Sequence, residues 1–319
     1  MTKLNIKKML VNLVPLLGLV VLYAVFMGLG TSKGINIEYG MTAILNQSVI
    51  CAVVATGAIF IYTLGAFDIS LGACTAVSAI GGAMVYNATE SIPMMILACI
   101  GIAVVIQLFD SMLASVFHLP VFVTTIAMLS VLNAVVGLLI EINDDGDQVK
   151  VPFMAVMDMD TVEFKGMILV LFFIFSVFVF SFTKNGRKMK IQGSNPMCAK
   201  LSGIKGDKLA IISFVLAGIG VGLAAFLSIV YAPTLSRNSG SSVGMDVIIA
   251  IAFGGMPVSG GARSKIYAAV VGAFSMTFLS QIMTILNLNA GVGQMVKAII
   301  FILVVFIATL NQRGKMLPR

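Results

Sequence analysis

Charge is scarce in this chain. Only 10% of its 319 residues are Asp, Glu, Lys or Arg, where soluble domains carry about 25%. That excludes an ordinary soluble globular protein. Histidine occurs once, as His118; with no second imidazole it is read as an interfacial residue and no metal site is expected. Tryptophan is absent and tyrosine occurs 6 times, so the aromatic belt at the membrane interfaces is thin. The four cysteines, Cys51, Cys74, Cys99 and Cys198, all fall in segments not expected outside. They read as small, mostly apolar helix residues and not as a disulfide scaffold. Catalytic signatures are missing as well: no triad, no paired-carboxylate site, no cluster of metal ligands. "GGMPVSGGARS", Gly254 to Ser264, has the glycines of a phosphate loop, but Gly261 stands where the motif needs Lys, and the strand-to-helix context is absent. It reads instead as a tight turn with close backbone approach.

What the chain has in abundance is apolar sequence, with 59% hydrophobic residues and a mean hydropathy of +1.08. In hydrocarbon every backbone polar group must bond within its own segment, so a spanning segment is a helix of about 20 apolar residues. The expected fold class is therefore all-α, a polytopic membrane helical bundle forming one domain over 1–319. The spans expected are 9–30, 41–63, 68–88, 92–117, 120–140, 166–183, 208–230, 244–258, 265–287 and 292–310. The first is longer than a signal-peptide core and lacks an A-x-A site, so it is read as retained. The eighth is short and glycine-rich, the composition of a broken helix.

Charge tests that count. Lys3, Lys7 and Lys8 precede the first span and belong in the cytosol by the bias of cytosolic loops toward Lys and Arg. The segment 141–165 carries Glu141, Asp144, Asp145, Asp147, Asp158, Asp160 and Glu163 against Lys150 and Lys165; it is expected outside. One crossing later, 184–208 gathers Lys184, Arg187, Lys188, Lys190, Lys200, Lys205 and Lys208 against Asp207, seven of the chain's 20 cations. Arg263 and Lys265, and then Arg313, Lys315 and Arg319, fall on that same side. The pattern is consistent with ten crossings and both termini cytosolic. The net charge of +7 thus reports topology, and no nucleic-acid partner is expected.

The cationic segment has more than charge. Ser194-Asn195-Pro196 is a turn signal with Pro at a helix start. Met197, Cys198, Leu201 and Ile204 follow at spacings of three and four, which predicts a short amphipathic helix ended by Gly203 or Gly206. Its apolar face fits either the bilayer surface or a groove in a cytosolic partner.

"GRKMKIQGSNPMCAKLSGI", through Gly186, Arg187, Gly193, Asn195, Ala199, Ser202, Gly203 and Ile204, resembles the cytosolic loop of ribose-type sugar permeases, of the branched-chain amino acid/ribose permease family. These are membrane subunits of bacterial ATP-binding-cassette importers. "TGAIFIYTLGAFDISLGA", Thr56 to Ala73, and "GMDVIIAIAFGGMPVSGGARSKIYAAVVGA", Gly244 to Ala273, are similar to two further family segments, in family order. The chain departs from the family at Asn133-Ala134, at Ala262-Arg263 and at Asp246, where the family carries Arg-Gly, a further Gly and Glu. The resemblance implies a multi-pass protein of the bacterial cytoplasmic membrane with no cofactor of its own. It implies four kinds of partner: membrane lipid, a second permease chain (identical or related), cytosolic ATPase subunits that bind ATP and Mg, and an extracytoplasmic substrate-binding protein. Gly193, Asn195, Pro196, Ala199, Leu201, Ser202, Gly203 and Ile204 would form the helix that couples to the ATPase. The substrate would be a ribose-type monosaccharide, with a nucleoside as the alternative within the family.

An ion-coupled secondary transporter is the competing reading, for which the carboxylates Asp68, Asp110 and Asp246 are the candidates. Asp68 either caps the third helix with Ser70, or lies buried at a break in the membrane. Asp110, beside Gln107, either pairs inside the bundle or faces a pore. With Asn133 and Ser259, these residues form the candidate translocation path or gate. Among other polar groups in or near spans, Asn46, Gln47, Ser48, Thr124, Thr125, Gln281, Asn287 and Asn289 are read mainly as bonding to backbone or neighbours, with some expected along the solute route. Gly218 and Gly222 form a GxxxG, the pattern of close helix packing. Arg237 is a lone cation on an outside loop, either solvated or paired with acids of a binding protein. A membrane protein with a purely structural or assembly role is the third reading, and it predicts no solute path.

Overall fold

The computed structural model describes residues 2–313 apart from 118, 144–145, 241–242 and 258. His118, Asp144, Asp145, Lys315 and Arg319 lie outside the described residues, as do the side chains of Lys3, Lys7, Lys8 and Arg313. The chain is a bundle of helices: α1 (Thr2–Ser32), α2 (Ile37–Thr63), α3 (Leu71–Thr89), α4 (Ile92–Val116), α5 (Val121–Ile142), a short α6 (Phe153–Val156), α7 (Val162–Phe182), α8 (Lys184–Ser194), α9 (Pro196–Leu201), α10 (Gly206–Tyr231), α11 (Val243–Phe253), α12 (Tyr267–Ile285) and α13 (Ala290–Arg313).

Among the described residues, eight helices are long and apolar enough to cross a membrane: α1, α2, α3, α4, α5, α7, α10 and α12. The other two expected spans fall short. In α13 the described apolar stretch is Gly291–Phe306, and the eighth span is corrected: it ends at Phe253, not 258. Gly254-Gly255 and Pro257 stop it there, with Gly255 at φ +79, a conformation open to glycine but not to a continuing helix.

Helix α2 is the axis of the bundle. Its most apolar window is 83% enclosed, against 22% for α4. Small residues let the neighbours close on it. A Cβ added at Gly220 would meet the Val53 carbonyl at 3.1 Å, and one added at Gly57 would meet the Ala217 carbonyl at 3.1 Å. The Gly218/Gly222 pair does what GxxxG predicts, seating α10 on α4. Added Cβ atoms there would lie 2.9 Å from Val104 Cα and 2.9 Å from the Cys99 carbonyl. The outward faces of α4, α5 and α7 expose Leu97, Val105, Phe109, Val131, Leu138, Ile174 and Phe178, the surface a bilayer covers.

Helix α7 has 21 residues, so it is about 31 Å long and matches the hydrocarbon thickness. The acidic segment precedes it and the cationic segment follows it, which puts the two at opposite ends of the bundle. At the acidic end the otherwise helical chain forms a small antiparallel sheet, β1 (Gln148–Lys150) with β2 (Thr234–Ser236) and Val149 opposite Leu235. Both central side chains are buried. The sheet ties the segment before α7 to the one after α10.

Candidate functional site at the cationic end

The expected short helix is present as α9, and it is longer in support than in sequence, because α8 carries it. The Asn195 side chain caps α9, accepting from Cys198 N–H at 3.1 Å. Pro196 sits in the first turn, where no backbone donor is missed. Ser202 Oγ donates to the Cys198 carbonyl at 2.9 Å, and Gly203 at φ +73 ends the turn. The apolar face differs from expectation. Met197 and Leu201 stand out at 67% and 82% exposure, and Cys198 is exposed too. Ala199 is fully buried, and Ile204 turns back onto the main core. Ile204 therefore belongs to the bundle side of the element and is not part of its outward face.

Helix α8 was not expected, since its residues are strongly polar. Thr183 caps it, accepting from Gly186 N–H at 3.2 Å. Met189 is buried, and Lys190 lies over the Phe180 ring at 4.0 Å; burial pushes the Lys190 ammonium pKa down. The C-terminal end of α8 is wedged into the bundle. A Cβ on Gly193 would overlap the Thr63 carbonyl oxygen and lie 2.9 Å from Gly261 N. Ser194 Oγ donates to the Lys190 carbonyl at 2.8 Å and accepts from Ala262 N–H at 2.8 Å. Gly260, at φ +66 and ψ −146, is in a region open only to glycine, and an added Cβ would sit 2.8 Å from Gly65 N. Three segments thus meet without side chains between them: the end of α2, the end of α8, and the 254–266 turn. The exposed Ser259 lies in that turn, its carbonyl 3.2 Å from a Cβ added at Gly65.

Above this junction, within the inner part of the bundle, lies a buried polar cluster. The strap 64–70 leaves α2 and rises to α3. Asp68 Oδ1 accepts from Ser70 N–H at 2.7 Å and from Ser70 Oγ–H at 2.6 Å. Its Oδ2 accepts from the Gln107 amide at 3.0 Å. Asp110 Oδ2 stands 3.1 Å from the same Ser70 hydroxyl. All four residues are fully buried. Asp68 is not the N-cap of α3: Ser70 holds that position, and the buried Asp68 carboxylate accepts from the Ser70 N–H just ahead of the helix. Gln107 and Asp110 lie one turn apart on α4, so one helix face supplies both partners. Asp110 Oδ1, Gln107 Oε1 and Ser111 Oγ have no partner among the described residues.

Asp246 is elsewhere. It sits on α11 and accepts from Lys297 of α13 at 2.8 Å, beside a cavity of about 310 Å³ between α2, α10, α11, α12 and α13. Asn133 is exposed on α5 and joins neither group. Arg237 is not alone: it pairs with Glu141 at 2.8 Å across the acidic end, with both side chains half exposed. Sequence reasoning passed over two lysines. Lys165 is fully buried, donating to Asn46 Oδ1 at 2.8 Å and pairing with Asp160, although its segment reads as an outside loop. Lys297 falls inside an apolar run. In both cases the signal was a cation within a helical pattern, which is costly in lipid and marks a partner.

These features define a multi-pass permease of the cytoplasmic membrane. The family described as "branched-chain amino acid transport system / permease component" matches residues 40–308, and the chain belongs to that family. It is similar to the ribose import permease protein RbsC of Escherichia coli K12, at 22% identity over 84% of this chain and 85% of that protein. It is 31% identical, over 60% of its length and 57% of the relative's, to the probable ABC transporter permease protein YphD of the same strain. It is 25% identical to the autoinducer 2 import system permease protein LsrC of Salmonella typhi, over 86% and 79% of the two chains. The resemblance to ribose-type permeases is borne out by these similarities. No solved structure matches the chain.

Proposed function

We propose that this chain is the membrane permease of an ATP-driven importer and that it carries a neutral sugar, a ribose-type monosaccharide, handed over at the acidic end. A nucleoside is the alternative within the same family. ATP and Mg are handled by a separate ATPase chain, and a second permease chain, identical or related, completes the pore. Both termini and the cationic segment face the cytosol; the charge asymmetry across α7 supports that orientation.

One observation carries the reading: a capped, outward-facing helix is wedged through α8 onto the two turns that break the bundle. Helix α9 has six residues, too short to be stable by itself, yet it holds Met197 and Leu201 out of the protein. That is the shape of a knob for a groove in a partner. Displacement of the knob is passed through α8, whose Gly193 packs on the backbone of Thr63 and Gly261, which suits a rigid-body transmission. The competing ion-coupled reading would use Asp68, Asp110 and Asp246. Asp246 is neutralised by Lys297, and Asp68 is saturated by Ser70 and Gln107, which disfavours both as ion carriers.

The test replaces Met197 and Leu201 together with Asp, leaving the inward-facing Ile204 in place. The ATPase should no longer co-purify with the permease, while membrane insertion and the thermal unfolding midpoint stay unchanged. Continued co-purification with substrate-responsive hydrolysis would rule α9 out as the coupling element.

A further inference from the structure

We propose that the cavity beside Asp246 is a transit site for a neutral, polyhydroxylated solute, read by Gln47, Ser280 and the Asp246–Lys297 ion pair. This rests on the importer reading above and assigns it a place in the bundle.

The cavity measures about 310 Å³, at the lower end of the range for small-molecule sites, about 300–1,000 Å³. Five helices converge on it, each with a polar group: Gln47 from α2, Ser228 from α10, Asp246 from α11, Thr277 and Ser280 from α12, and Lys297 from α13. Ser228 and Thr277 spend their protons on their own helices, on the Ala224 carbonyl at 2.8 Å and the Ala273 carbonyl at 2.9 Å. Their oxygens remain as acceptors. The Gln47 amide and the Ser280 hydroxyl have no hydrogen-bond partner among the described residues. Lys297 uses one of three ammonium donors on Asp246 Oδ1. The wall therefore offers donors and acceptors in mixture, which is what vicinal hydroxyls need, since each hydroxyl both gives and takes.

The charges set the selectivity. Asp246 and Lys297 cancel, and each is only partly exposed, at 21% and 15% of the side chain. A solute with net charge would have to unpair one of them in a poorly hydrated site, leaving an uncompensated ion. A neutral polyol leaves the pair intact and bonds to its free donors and lone pairs. A structural role alone explains the pair poorly, because an ion pair this enclosed rarely beats apolar residues of the same volume. Ionisable groups inside membrane helices are more often functional.

The experiment uses the whole transporter, with its ATPase and binding protein, in membrane vesicles. Ser228→Cys, in a Cys51→Ala background that removes the native thiol of the same wall, places a single thiol there, and its labelling by a small methanethiosulfonate reagent is followed by mass spectrometry. D-Ribose, D-glucose and uridine serve as neutral probes; D-ribonate and D-glucosamine are charged controls. At least one neutral probe should slow labelling several-fold, and neither charged control should. Lys297→Met, and separately Gln47→Leu, should abolish that protection. Labelling at an unchanged rate with every neutral probe overturns the proposal, as does equal protection by D-ribonate or by the Gln47→Leu variant. ATP-driven uptake of the same neutral probes separates the two levels. Uptake without protection removes the transit site and leaves the importer; loss of both removes the importer reading as well.

Discussion

Two irregular segments join long helices at the cationic end, and they are held in opposite ways. The strap 64–70 runs from α2 to α3, and the turn 254–266 runs from α11 to α12. They touch each other, Gly65 against the Ser259 carbonyl and Gly260 against Gly65 N. The strap is locked sideways into the bundle: Asp68 and Ser70 are fully buried and bonded to α4 through Gln107 and Asp110. The turn enters the bundle through apolar side chains instead, Met256 and Ile266, both buried in the main core. Its Gly255 and Ser259 are exposed, and its Ala262 N–H is held by Ser194 of α8. One segment is thus held by hydrogen bonds to α4, and the other by apolar packing and by its tie to α8. On the importer reading proposed above, a gate at their junction would have one wall bonded to α4 and one tied to the helix that carries α9.

The sharpest way to break the comparison is to force its shared contact apart. Gly193→Ala would drive a Cβ onto backbone atoms of Thr63 and Gly261, neither of which is a flexible side chain. Overpacking of this kind costs about 3 kcal/mol. The variant should lose uptake entirely and show a lowered midpoint in thermal unfolding of the purified permease. Next is the anchor of the strap. Asp68→Ala leaves the Ser70 N–H and the Gln107 amide buried without their acceptor, at about 2–3 kcal/mol. Asp68→Asn keeps one carbonyl acceptor and should cost less than half of that by the same unfolding measurement; equal costs would mean that a single acceptor does not account for the anchor. Ser194→Ala deletes two hydrogen bonds, one within α8 to the Lys190 carbonyl and one from Ala262 N–H, each contributing about 1 kcal/mol or less. Stability should drop slightly, while ATP hydrolysis continues and uptake falls, because the turn is no longer tied to α8. The smallest effect is expected at the acidic end. Glu141→Ala breaks a pair with Arg237 whose side chains are 50–60% exposed, and pairs in water contribute under about 1 kcal/mol. Uptake and unfolding should both match the unaltered chain, and the small residual should vanish in high salt.

Much of this arrangement was legible in the residues. Apolar length located eight helices long enough to cross a membrane and two shorter apolar ones, and the glycine-rich composition of 244–258 pointed to a broken helix but not to its end at Phe253. Asn195-Pro196 and Gly203 marked both ends of α9, because caps are local chemistry. The GxxxG of α10 announced its contact with α4. What stayed hidden was contact between distant segments. The polar composition of 184–194 hides its helix, because the inward face at 186, 189, 190 and 193 is built from two glycines, one methionine and a lysine and reads as no apolar stripe. Ile204 reads as part of the outward stripe by spacing, yet tertiary contact with the core claims it. Arg237 and Lys297 read as lone or unnoticed cations because their partners, Glu141 and Asp246, lie 96 and 51 residues away. Asp68 was readable as a cap or as a buried contact, and only the position of α4, whose Gln107 donates to it, shows how it is enclosed.

The central claim is that α8 and the 254–266 turn move as one body when the outside partner acts. Ser194→Cys with Ala262→Cys joins them by a disulfide at the place where Ser194 Oγ and Ala262 N already meet. In vesicles carrying the complete transporter, ATP-driven uptake should be the same in the oxidised and the reduced state. Uptake that stops on oxidation and returns with reductant would mean that the turn must slide against α8, and the single moving body would be wrong.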